Sequence, residues 1–257
     1  MTRITPPATR EELFARAAAL SGASIADLAT RLGLDVGGRG AHAKGKIGEL
    51  LERALGATAT SRAEPDFPNL GVELKTLPVD ASGRVRESTF VSSFDVRVAD
   101  TLEWETSSVR AKLGCVLWVP VIERSRIGRA FAWLPTAEEL AALQADFDEI
   151  IGRLGRGEEV SARAGVHLQV RPKAADGTPT ELLIDDDGTR RLTVRKGFYL
   201  RPSFTTALLR AHVAAALEAG ASARPRSSDR HRDDEVSDPK GASDDVHGPD
   251  RRIAHGD

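Results

Sequence analysis

Four side chains of this chain could together cleave a phosphodiester: Glu52, Asp66, Glu73 and Lys75, the last three within Pro65-Asp-Phe-Pro-Asn-Leu-Gly-Val-Glu-Leu-Lys75. Residues 71–77 alternate apolar and polar side chains and read as a strand. On a strand Glu73 and Lys75 point to one face, roughly 6.5 Å apart, while Val72 and Leu74 point into apolar packing. Asp66 lies just upstream among Pro65, Pro68 and Gly71, where a turn can fold its carboxylate back beside Glu73. Carboxylates and a lysine so gathered suit a hard cation such as Mg²⁺, which takes a few oxygen ligands and keeps several waters. The lysine can then orient or deprotonate a polarised water aimed at a phosphodiester. Glu-x-Lys alone is equally the pattern of a surface strand with a cross-strand ion pair.

The elements around these residues are readable from their periodicity. A helix near residues 45–55 has Ile47, Leu50, Leu51, Ala54 and Leu55 on its apolar stripe. Glu52 falls about 60° past Leu55, at the edge of that stripe, facing either a cleft or solvent. Upstream, Thr9-Arg-Glu-Glu12 has capping-box form and opens one helix, and Ser24 opens a second. This pair suggests either helix-turn-helix DNA reading or a packing subdomain. The glycine-rich stretch from Gly33 to Gly45, with Arg39, His42 and Lys44, reads as a loop that either approaches DNA or simply links.

Downstream, strands are expected at 88–92, 116–120, 131–134 and 166–170. Helices are expected over 105–113, from Thr136 to about Gly152, and over 203–219. Mixed strands flanked by capped helices indicate an α/β fold.

Composition narrows the class without choosing a function. Hydrophobic residues at 40% and charged residues at 29% are an ordinary globular balance. The single cysteine, Cys115, excludes an internal disulfide framework. No apolar run approaches a membrane span and the first residues do not read as a signal peptide, so a cytoplasmic location is expected. A monomer is expected separately, one catalytic site nicking one strand. The net charge of −2 does not itself support nucleic-acid binding, which then requires clustered basic residues. Residues 160–212 hold such a set, including Arg163, Arg171, Lys173, Arg195, Lys196 and Arg201. Residues 221–257 have few apolar side chains and no periodicity, and a disordered tail is expected there.

The wording around the acidic residues resembles the MutH family of mismatch-repair endonucleases. The resemblance begins at Lys44-Gly-Lys-Ile-Gly-Glu-Leu-Leu-Glu52 and continues through Leu55-Gly56-Ala57, Asp66 and Leu70-Gly-Val-Glu-Leu-Lys-Thr76. It extends to Trp104-Glu-Thr-Ser-Ser-Val-Arg-Ala-Lys112, Leu168-Gln-Val-Arg-Pro-Lys173, Gly197-Phe-Tyr-Leu200 and Phe204-Thr-Thr-Ala-Leu-Leu209. These blocks come in family order over roughly residues 10–215.

The resemblance implies a restriction-endonuclease-like fold, a mixed central sheet flanked by helices beside a DNA-binding cleft. It implies an endonuclease domain over 1–220, with catalysis in about 1–120 and DNA recognition in about 121–220. Asp66, Glu73 and Glu52 are then ligands of Mg²⁺, with Lys75 near the attacking water and Lys112 beside the site. Lys44 precedes the metal helix, and Phe90 stands in a DNA-facing loop or in the core. Arg171, Pro172, Lys173 and Tyr199, the only tyrosine, correspond to the base-recognition segment, although Tyr199 equally reads as a half-buried strand aromatic.

The implied activity is nicking of the unmethylated strand at hemimethylated GATC in double-stranded DNA, with MutL as activator and MutS acting through it. Two other readings remain at this stage: a type II restriction enzyme cutting both strands of GATC, and a non-catalytic DNA-binding adaptor of the same fold. Two departures from the family pattern stand out. Ser108 occupies a position where histidine is common, and Asp185-Asp-Asp187 is an unexpected acidic loop.

Overall fold

The computed structural model describes residues 4–37, 41–61, 63–173, 181–184, 190–193 and 195–222, with only the backbone described at 41–44, 181–184, 190–193 and 219–222. Residues 1–217 form one compact unit, and a second unit starts at Glu218. The expected disordered tail, apart from the helix end at 221–222, the Asp185–Asp187 loop and Arg39 lie outside the described residues.

Three helices come first: α1 (Arg10–Ala19), α2 (Ile25–Leu32) and α3 (Ala41–Leu55). Thr9 caps α1 by accepting from the Glu12 amide, but the Glu12 carboxylate accepts from Ala8 N rather than from the cap residue itself. The expected capping box is therefore displaced by one residue. Helix α3 begins at Ala41, not near residue 45, so Lys44 belongs to the helix and not to the preceding loop.

The first sheet is built on β1 (Glu73–Val79) and β3 (Val116–Ile122), which pair in parallel with Glu73 opposite Val116 and Lys75 opposite Trp118. Strands β4 (Arg126–Ile127) and β5 (Phe131–Trp133) add to β3 antiparallel. A second, antiparallel sheet runs β2 (Thr89–Phe94), β9 (Lys196–Leu200), β6 (Leu168–Pro172). Between them in chain order lie α4 (Ser108–Leu113) and α5 (Ala137–Gly155), the latter opened by a complete Thr136/Glu139 capping box. A small ribbon, β7 (Glu181–Ile184) with β8 (Arg190–Thr193), was not expected from the sequence, and α6 (Pro202–Ser222) ends the described chain.

The alternation of β3 gives the first sheet two apolar faces. Leu117, Val119 and Val121 face one way and join Leu13, Leu28, Leu50, Leu51 and Leu55 of α1–α3. Val116 and Trp118 face the other way, into a core shared with α4, α5 and the second sheet. The N-terminal helix pair is thus a packing layer on the sheet, which disposes of its helix-turn-helix reading. Val72, just before β1, and Leu74 within it belong to the first core, and Leu77 and Val79 to the second. By parity Glu73 and Lys75 continue the face of Leu77 and Val79, toward α4.

Two strand boundaries differ from expectation for local reasons. Gly71 takes the left-handed region (φ 60°) and Val72 is bridged to Phe67, so β1 starts at Glu73. The strand expected at 166–170 lies at 168–172, because the buried Asp146 carboxylate of α5 accepts from Val166 N, His167 N and Leu168 N at 2.6–2.8 Å. Those amides go to a carboxylate instead of a ladder, and Val166 is left 69% exposed.

Candidate active site and nucleic-acid interface

The start of β1 collects five charged side chains from four elements. Glu73 is 2% exposed, and its carboxylate accepts from Lys75 Nζ and, at 3.0 and 2.9 Å, from Lys112 Nζ. Lys112, which the family resemblance puts beside the site, is buried. It is delivered by α4, whose short turn is capped by Ser107 and seated by Val109 and Leu113 in the core. A buried carboxylate left unpaired would be severely destabilising, and the two ammonium groups on Glu73 offset that cost.

Asp66 arrives through the loop between α3 and β1. Phe67 and Val72 exchange backbone hydrogen bonds across the turn Pro68–Leu70, which brings the Asp66 carboxylate onto the amide of Leu74 at 2.8 Å. Glu52 comes from α3 and is half-buried. Burial raises its pKa to about 7, with repulsion from Asp66 and Glu73 adding to the rise and Lys75 opposing it. The pKa of Asp66 is also raised, by burial first and then by Glu73, against the pull of Lys75, the Leu74 amide and Lys112. The cluster therefore holds more carboxylate charge than its two lysines satisfy.

That surplus fits a divalent cation in kind: hard oxygen donors, mutually repelling, half-open to solvent. As the side chains stand, no three acidic, histidine or cysteine groups among the described residues are gathered closely enough to hold a metal ion. The lysines on Glu73 explain this, because they take up the oxygens that a cation would share. The residues match such an ion in chemistry and charge, and some side-chain rearrangement is required to bind one.

A second cluster covers the outer face of the antiparallel sheet. Phe90, Tyr199 and Gln169 form one row across β2, β9 and β6. The rings of Phe90 and Tyr199 meet edge to face at 5.3 Å, and Lys173 Nζ stands 5.3 Å from the Phe90 ring centre. Phe90 is thus neither in a loop nor fully in the core, but half-buried on the sheet's outer face. Gly197 permits this: a Cβ there would come within 2.9 Å of the Phe90 ring. Tyr199 is half-buried, its pKa raised by burial and lowered by the nearby Arg171. Arg171 and Pro172 are exposed at the end of β6. Lys44 lies in α3, with its side chain outside what is described.

The two clusters are joined by a contact that sequence reading missed. Ser92 on β2 and Ser108 at the start of α4 share a 2.5 Å hydrogen bond, which links the sheet carrying Phe90 to the helix carrying Lys112. Ser88, whose hydroxyl meets Gln169 and Arg171, was missed as well. Neither serine has a local sequence signal, since only strand register reveals its partners.

Comparison with known proteins identifies the family. A family model described as the DNA mismatch repair enzyme MutH matches residues 55–146, the stretch containing Asp66, Glu73, Lys75 and Lys112. The chain is 45% identical over 214 residues to the DNA mismatch repair protein MutH of Shewanella amazonensis, covering 80% of this chain and 96% of that protein. It is 44% identical over 218 residues to the proteins of the same description from Escherichia coli K12 and Shigella boydii, covering 81% of this chain and 95% of each. Identity of this extent, over nearly the whole length of those relatives, establishes that the chain belongs to the MutH family of DNA mismatch repair enzymes.

Proposed function

We propose that this chain is a Mg²⁺-dependent endonuclease of methyl-directed mismatch repair, incising the unmethylated strand of hemimethylated GATC sites 5′ to the guanine. The observation that carries the reading is the convergence on Glu73 of two lysines from separate elements, with Asp66 and Glu52 electrostatically coupled to it. A binding module has no use for a surplus of carboxylates beside a polyanion. A hydrolase has.

In this reading Asp66, Glu73 and Glu52 would hold the cation. When bound, the cation supplies water activation and stabilises the charge developing on the phosphoryl oxygens. Lys75, at the half-open edge of the cluster, orients the attacking water and can carry its proton. Lys112, held on Glu73 from the buried side, fixes that carboxylate and contributes positive charge toward the scissile phosphate. Glu52, its pKa raised to about 7 by burial and then by its acidic neighbours, is only partly ionised near neutral pH, and would have to be fully ionised to hold a cation.

Residues up to about 120 carry out the chemistry and those from about 121 to 220 read the DNA, with β2 as the strand that the first part lends to the recognition sheet. Arg171, Pro172 and Lys173 meet base edges in the major groove, Tyr199 senses the adenine N6 position, and Phe90 and Lys44 approach the duplex. One such cluster per chain suits a monomer nicking one strand, activated by MutL after MutS has met a mismatch. No described helix is long and apolar enough to cross a membrane, and a cytoplasmic location suits this role.

The test is a supercoiled plasmid with one GATC site, incubated with Mg²⁺ and activator in its unmethylated, hemimethylated and fully methylated forms. Open-circular product from the first two and none from the third is expected. Linear product without activator would instead make the chain a restriction enzyme, and no product in any state would remove the nuclease assignment.

A further inference from the structure

The outer face of the β2-β9-β6 sheet carries an interaction that the family correspondence does not assign. Arg171 lies one row beyond Gln169, opposite Gly197, yet its guanidinium turns back along the sheet to Ser88, with Nη1 donating to Ser88 Oγ at 3.1 Å. The same oxygen accepts from Gln169 Nε2 at 2.7 Å, and Gln169 is itself buried. Ser88 precedes β2 and Arg171 ends β6, so this bridge spans the sheet from one outer strand to the other, over β9.

The chemistry of the bridge is specific. A hydroxyl has two acceptor positions and one proton, and here both acceptor positions are taken by N–H donors. That leaves the Ser88 proton for a further acceptor outside this bridge. Arg171 is a long side chain with several rotatable bonds, and tethering one Nη fixes its plane while leaving its other N–H groups for a base edge. The tether is neutral. A carboxylate in the place of Ser88 would hold the guanidinium as well, but would cancel its charge and repel DNA.

We propose that Ser88, backed by Gln169, is the positioning residue that presets the Arg171 guanidinium for base recognition, and so sets how sharply the enzyme discriminates its site. This rests on the reading of Arg171 as a base-contacting side chain. Preorganisation of this kind acts on specific binding, because only the base edge demands one orientation of the guanidinium, whereas a phosphate accepts many.

The experiment compares wild type, Ser88→Ala, Ser88→Thr, Arg171→Ala and the Ser88→Ala/Arg171→Ala double variant. Single-turnover nicking with Mg²⁺ is measured on a hemimethylated GATC duplex and on duplexes with one base pair of the site changed. Affinity for a duplex lacking GATC and the melting temperature are measured alongside. Ser88→Ala is expected to reduce the cognate-to-altered rate ratio about tenfold, the worth of one hydrogen bond to a charged group. Affinity for the duplex lacking GATC is expected to stay within about twofold, since the tether carries no charge. Ser88→Thr, which keeps the hydroxyl, should restore the ratio, and the double variant should be no worse than Arg171→Ala.

Full discrimination in Ser88→Ala beside its loss in Arg171→Ala would overturn the proposal and leave the role of Arg171 intact. So would losses that multiply in the double variant, or a failure of Ser88→Thr to restore the ratio. Unchanged discrimination in Arg171→Ala would overturn the reading of Arg171 itself, and the role of Ser88 with it.

Discussion

The cluster at the start of β1 and the outer face of the antiparallel sheet are organised by opposite means. At β1, like charges are crowded into a half-buried recess and held there by two lysines, so the site stores repulsion. On the sheet, half-buried side chains and the exposed Arg171 are aligned by neutral hydrogen bonds, an edge-to-face aromatic pair and one close approach at Gly197, so the surface stores orientation. The difference teaches what each can tolerate. Removing a charge at β1 changes the chemistry, whereas removing a contact on the sheet changes where an otherwise intact side chain points.

The largest expected effect comes from the recess. Asp66→Asn removes the charge of a proposed cation ligand but keeps the side-chain shape, and nicking with Mg²⁺ should fall by about a thousandfold or more. The melting temperature should stay near wild type and affinity for duplex DNA should rise, because a repelling charge beside the phosphates has gone. Gel assays of nicking and binding on one preparation check both directions, and a variant that retains activity would break the contrast drawn above.

The sheet depends on an anchor buried beneath it. Asp146→Ala strands three amides at the head of β6, and a stability loss of about 2–4 kcal/mol is expected from their desolvation. Denaturant titration measures it. A loss below about 1 kcal/mol would show that β6 is held by the ladder with β9 and not by the carboxylate.

A smaller, pH-dependent effect sharpens the picture of stored repulsion. The pKa of Glu52 is raised from 4.5 to about 7 in the folded protein, so the folded state holds a proton that the unfolded chain has lost. The stabilisation this gives is complete below the unfolded value and disappears as pH rises through about 7. Glu52→Gln should therefore match wild type near pH 4.5 and exceed it by about 1–2 kcal/mol at pH 8 without divalent ions, after allowance for partial exposure. Urea titrations at the two pH values check the sign. Equal stability at pH 8 would mean that Glu52 is neither desolvated nor repelled by its acidic neighbours as described.

The smallest effect belongs to the aromatic row. Phe90→Ala is expected to weaken duplex binding by about five- to tenfold, with little change in stability, since the ring is half-buried and its main partners are Tyr199 and Lys173. Fluorescence anisotropy on a labelled duplex reads it.

The sequence disclosed the β1 cluster more fully than the sheet, for a physical reason. Glu73, Lys75 and Asp66 are close along the chain, and a period of two plus one turn brings them together. Helical periodicity put Glu52 at the edge of an apolar stripe, facing a cleft or solvent, and only the family resemblance assigned it to the cluster. Ser88, Gln169 and Arg171 meet only through the register of three antiparallel strands, which no local pattern specifies. The same holds for Ser92 and Ser108. At β6 a tertiary interaction had overridden a local preference, Asp146 capturing the amides of 166–168, while α3 extended back through Gly45 to Ala41 against the glycine-rich pattern.

The central claim is that Asp66, Glu73 and Glu52 form one divalent-cation site that binds as Glu52 gives up its proton. Calorimetric titration of the protein with Mg²⁺ or Mn²⁺ at pH 7, repeated in buffers of different ionisation heat, tests it most directly. The account predicts a single saturable site with fractional proton release in wild type, no release in Glu52→Gln, and no measurable binding in Asp66→Asn. Identical titrations for wild type and Asp66→Asn would contradict it.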